Sequence, residues 1–122
     1  MKNKKVKLFV IALIATFIIQ HIILYLSPNS NLNIAQYNIH HIFLGAFFLV
    51  ILVILMLFNH INSATIILAG VFSSFILDEL IFLIATNGLD TLYWSKTSFI
   101  GSLIMHAIIL IFISILYYKD KK

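Results

Sequence analysis

The chain has 122 residues, 62% of them hydrophobic and only 10% charged, with a formal net charge of +4 carried by lysines alone. A soluble domain carries about 25% charged residues, whereas no Asp, Glu, Lys or Arg occurs anywhere from Leu8 to Leu77. A water-soluble enzyme cannot hide that much apolar chain, and disorder needs the opposite composition.

Cysteine is absent, which removes disulfides, thiolate ligands and thiol nucleophiles. The lysines cluster at the chain ends and form no basic stripe with interleaved aromatics, so no nucleic-acid partner is expected. The expected environment is the lipid bilayer of the cell membrane.

A bilayer core of about 30 Å takes roughly 20 helical residues to cross, and four stretches qualify. The first is Leu8–Leu26, closed by Ser27, Pro28 and Asn29. Lys2, Lys4, Lys5 and Lys7 before it resemble the basic end of a signal peptide, but the apolar run is too long for one and no Ala-x-Ala site follows. It reads as a retained helix. The second stretch is Ile39–Phe58, extended back to Ile34 if Asn33 and Gln36 form a reciprocal cap. The third, Thr65–Ala85, stops at Thr86-Asn87-Gly88, and the fourth, Ser98–Tyr118, stops at Lys119-Asp120-Lys121-Lys122.

Backbone amides in lipid must be satisfied within each segment, and the apolar runs lack a period of two, so the spans are helices rather than barrel strands. The expected fold is all-α: one polytopic membrane domain, an up-down bundle of four helices over about 8–26, 34–58, 65–85 and 98–118. Lysine asymmetry puts both termini in the cytoplasm. Tyr93 and Trp94 then fall at the outer interface, and Tyr117 and Tyr118 at the inner one.

Ionisable groups within spans are costly and therefore functional candidates. They are His21, His40, His41, Asp78, Glu79 and His106. At 1.5 Å per residue, all six fall within about 12 Å of the outer helix ends. Residues far apart in sequence have no local reason to share a depth. Helical spacing adds a face to each. Gly70, Ser74 and Asp78 make one stripe, Ser98, Ser102 and His106 another, and Tyr37, His41 and Gly45 a third. Thr16 and Gln20 mark the polar side of the first helix. Neighbouring residues cannot share a face, so Asp78 and His41 are expected inward, with Glu79 and His40 flanking the site or contacting a neighbouring helix.

Each of these has a plainer reading. A single histidine in a span commonly serves helix–helix hydrogen bonding, serines there pack and bond locally, and Tyr93-Trp94 reads first as an interface anchor. His60, in a polar turn, reads as solvated. The combination of imidazoles with carboxylates at one depth is what exceeds them.

That set suits a divalent Zn or Fe ion held by His40, His41, Asp78, Glu79, His106 and His21. Asp78, Glu79 and His41 would carry the chemistry on a lipid or other membrane-resident substrate. Two alternatives use the same residues. One is a small homo-oligomeric transporter coupled to protons or ions, for which the inner half of the bundle looks dry. The other is a non-catalytic accessory or immunity subunit, in which polar groups fix helix register.

The run Tyr37-Asn38-Ile39-His40-His41-Ile42-Phe43-Leu44-Gly45, then Asp78-Glu79, then Tyr93-Trp94 resembles a set of small prokaryotic integral membrane proteins of unassigned activity. These share an HHxxxG stretch opening one helix, a DE pair late in the next and a YW pair just after it. The resemblance covers about residues 37–100 and implies a bacterial membrane protein with His40, His41, Asp78 and Glu79 at its site. The glycines that precede the family's acidic pair are represented here by Gly70 alone.

Overall fold

The computed structural model describes residues 2–27, 33–34 and 37–120. Its elements run α1 (Lys2–Leu26), β1 (Asn33–Ile34), β2 (Tyr37–Asn38), α2 (His41–Leu57), α3 (Ser63–Thr86) and α4 (Lys96–Lys119), with a single 3₁₀ turn at Asp90–Leu92 before α4. The all-α class and the four helices are as the sequence indicates.

Three helices, α1, α3 and α4, are long and apolar enough to cross a membrane. The fourth, α2, is equally apolar but has 17 residues, about 25 Å at 1.5 Å per residue. The surface agrees with a lipid solvent. Ile11, Phe47, Val50, Ile84 and Ile111 each expose 60% or more of their area, while Asp78, Glu79, Ser74, Ser98, Ser102 and His106 are buried. Apolar side chains outside and polar ones inside invert the water-soluble pattern.

The helix boundaries differ from expectation in ways that local chemistry explains. Lysine is a good helix former, so α1 runs back through the lysine cluster to Lys2 instead of starting at Leu8. Among the described residues its last bonded amide is Ser27, donating to the Ile23 carbonyl; Pro28 and Asn29 lie outside them. Helix α2 does not begin at Ile34. Residues 33–34 pair antiparallel with 37–38 instead, with Asn33 opposite Asn38 and Ile34 opposite Tyr37. Extended backbone there delays the helix to His41, with His40 (φ −63°, ψ 143°) as its N-cap residue. Gln36, the expected partner of Asn33 in a cap, lies outside the described residues.

The reciprocal cap occurs elsewhere, at the start of α3. Asn62 Oδ1 accepts from the Thr65 amide at 2.9 Å, and Thr65 Oγ1 accepts from the Asn62 amide at 3.0 Å. Two orphan amides of the first turn are satisfied at once. Helix α2 closes with a Schellman pattern: His60 N–H bonds the Leu55 carbonyl and Asn59 N–H that of Met56. Asn59 adopts the left-handed φ of 62° that this motif requires. After α3, Asn87 (φ 52°) and Gly88 (φ 73°) turn the chain. Ser95 caps α4, its hydroxyl accepting from the Ser98 amide.

The chain divides into two compact units, Met1–Ile76 and Leu77–Lys122. In the first, α3 approaches α1 and α2 through glycine. A methyl on Gly70 would meet the Phe9 carbonyl oxygen at 2.6 Å and Ala12 Cβ at 2.9 Å. One on Gly45, the glycine of the HHxxxG stretch, would meet the Phe72 carbonyl oxygen at 2.7 Å. Small residues allow such close backbone approach in lipid, where packing drives helix association. Around Gly45, Phe48 stacks on Phe72 at 4.8 Å and Phe72 meets Phe75 edge-on. In the second unit, Gly101 of α4 lies against Ile81 of α3.

Candidate functional site: a buried carboxylate bound by two hydroxyls

The most deeply buried ionisable side chain of the second unit, among the described residues, is Asp78, 1% exposed. Ser102, on the α4 stripe, donates its hydroxyl to Oδ1 at 2.7 Å. Tyr93, from the turn between α3 and α4, donates its phenol to Oδ2 in a short hydrogen bond. Both carboxyl oxygens therefore accept from protein hydroxyls. Buried carboxyls require such partners, because an unsatisfied one in hydrocarbon costs several kcal/mol.

Tyr93 is held by more than this bond. Its ring meets Phe82 edge-on at 5.4 Å and Trp94 at 5.5 Å. Its phenol keeps its proton well above the ordinary tyrosine range. Burial is the largest cause, followed by the Asp78 charge, the hydrogen bond to Asp78 and the Glu79 charge. Ionising the phenol beside two acidic groups would place like charges together in a poorly solvated site.

His106 stands one turn beyond Ser102 and is 6% exposed. Its Nδ1 lies 2.9 Å from the Ser102 carbonyl oxygen. A carbonyl only accepts, so Nδ1 carries the hydrogen. Glu79 is 3% exposed, as deeply covered as its neighbour. An acid in lipid is tolerated only where protein covers it. Thr86 bonds back to the Phe82 carbonyl at 2.6 Å and closes the helix above the site.

The remaining candidates belong to the first unit. His21 donates from Nδ1 to the Phe17 carbonyl at 2.8 Å and packs on the Phe17 ring at 4.4 Å. His40 contacts the Phe43 ring at 6.5 Å, and His41 meets Phe75 edge-on at 5.6 Å. His60 is exposed in the turn after α2. Neither unit contains, among its described residues, three His, Asp or Glu side chains gathered to hold one metal ion. The Zn or Fe expectation draws no support from this donor set.

Sequence reasoning selected Asp78, Glu79 and His106 and the serine stripe beside them. It did not find the bond from Tyr93 to Asp78. The YW pair signals an interface anchor, and only closure of the turn reveals that the phenol reaches the acid.

No family model, curated protein or solved structure matches this chain.

Proposed function

We propose that the chain is a multi-pass cell-membrane protein with both termini cytoplasmic. In this reading Asp78, Glu79, Tyr93, Ser102 and His106 form an acid–base centre beneath the outer interface, acting on a membrane-resident substrate, with lipid as its foremost class. The observation that carries it is the double acceptance at Asp78, by Ser102 at 2.7 Å and by a phenol from the turn. A carboxylate within hydrogen-bond reach of a serine hydroxyl has the geometry of a base beside a nucleophile. Tyr93 supplies a proton path from the turn to the other oxygen. His106 fixes the helix turn that presents Ser102.

The lysines at both ends and the Tyr93-Trp94 pair between α3 and α4 support the orientation. Four crossings include α2, whose 17 residues sit at the short end of the spanning range. The resemblance to the small prokaryotic membrane proteins supports the same acidic pair.

One observation favours a second reading. The Tyr93–Asp78–Ser102 chain connects the turn to a buried acid, as a proton-exchange site in a transporter would. The test separates the two. Purified protein in nanodiscs of bacterial lipid is followed by mass spectrometry of the lipids, beside Asp78→Asn and Ser102→Ala. Time-dependent lipid conversion by the wild type, lost in both folded variants, supports the enzyme. Proton flux into liposomes that stops with Asp78→Asn, without lipid conversion, replaces it with the transport reading. Neither activity in a folded wild type leaves a structural centre and overturns both.

A further inference from the structure

We propose that the first unit carries a binding groove for an undissociated fatty acid, on residues separate from the Asp78 centre. A cavity of about 370 Å³ is lined by Thr16, Gln20 and Leu24 of α1, His41 of α2, and Val71 and Phe75 of α3. Its volume falls in the range of small-molecule pockets, about 300–1,000 Å³. Gln20 is 92% buried by protein, and among the described residues neither its amide oxygen nor its amide nitrogen has a hydrogen-bond partner. Buried polar groups are paired in the great majority of cases, and each exception asks for a cause. In hydrocarbon no water stands by to supply the missing bonds.

The chemistry of the amide narrows the occupant. It offers an acceptor and a donor side by side. An ester satisfies only the N–H, and an ionised carboxylate leaves the C=O unmatched. A carboxylic acid satisfies both at once; besides Gln20 only Thr16 and His41 of the lining are polar, and the apolar remainder favours the protonated acid over the carboxylate. The rest of the lining, including Ile19, Ile23 and Leu24, suits a hydrocarbon tail. Gln20 lies six residues before the end of α1, about 9 Å along the helix, so an acid group bound there would leave the tail in the bilayer interior.

The test uses the full chain in nanodiscs of phosphatidylcholine free of fatty acid. Oleic acid is the probe, followed by isothermal titration and native mass spectrometry. The wild type is expected to bind one equivalent saturably, and methyl oleate, which lacks the donor, at least about tenfold more weakly. Gln20→Leu is expected to lose the preference for the acid while melting no lower than the wild type, since it removes an unpartnered amide. Val71→Trp, which fills the groove and keeps Gln20, is expected to lose binding as well. Equal binding of acid and ester, or undiminished binding by either variant, would overturn the proposal. So would a large drop in melting temperature on Gln20→Leu alone, or a fatty-acid-free dimer that this change dissociates, because either would mean the amide already has a partner.

Discussion

Tyr93→Phe isolates one hydrogen bond of the carboxylate centre. Phenylalanine keeps the ring that packs on Phe82 at 5.4 Å and deletes only the hydroxyl given to Asp78 Oδ2. A hydrogen bond to a charged group contributes about 1.5–3 kcal/mol. The half-buried position of Tyr93 lets some water compensate, so the lower half of that range is expected. Reversible unfolding in mixed micelles, followed by circular dichroism, measures it. A cycle with Asp78→Asn should return a coupling of about 1 kcal/mol or more. The pH dependence supplies an independent signature. Unfolded Tyr93 loses its proton near pH 10, while the folded phenol retains it to higher pH. Above that point the unfolded chain binds fewer protons, so stability falls as pH rises, by up to about 1.4 kcal/mol per pH unit. The contribution is complete below pH 10, and Tyr93→Phe should lack the decline. A cost under about 0.5 kcal/mol with no coupling would refute the argument, since it would put the phenol outside hydrogen-bond reach of the acid.

Other outcomes follow from the packing. Gly70→Ala drives a methyl into backbone of α1 at 2.6 Å, and overpacking of this kind costs about 1–3 kcal/mol; Gly45→Ala should behave similarly, both read by unfolding in micelles. Asn62→Ala removes the cap of α3 and should cost about 1 kcal/mol, with hydrogen exchange faster at Thr65 and Ile66 and unchanged near Asp78.

Much of the fold was legible because lipid imposes simple demands. Long apolar runs that cross lipid permit only helices, and the stops at Ser27 and at Asn87-Gly88 mark helix ends. The stripes Gly70-Ser74-Asp78 and Ser98-Ser102-His106 could be read from four-residue spacing against an apolar background, and their members are buried as that spacing implies. Features that depend on chain closure were not legible. The bond from Tyr93 spans 15 residues and depends on how the turn after α3 folds back. The conditional extension of α2 back to Ile34 is not legible either way, because Asn33 signals a cap as readily as a strand pair, and pairing of 33–34 with 37–38 decides between them. Asn62 and Thr65 carried the true cap, in a variant where threonine replaces the usual acid or amide.

Infrared difference spectroscopy of Asp78 in the purified, membrane-embedded protein examines the centre most directly. The Asp78 carboxyl band, assigned by its loss in Asp78→Asn, should shift in both Tyr93→Phe and Ser102→Ala and stay unmoved by Tyr25→Phe. A band indifferent to Tyr93 and Ser102 alike would contradict a carboxylate held between a phenol and a serine, and the proposed acid–base chemistry with it.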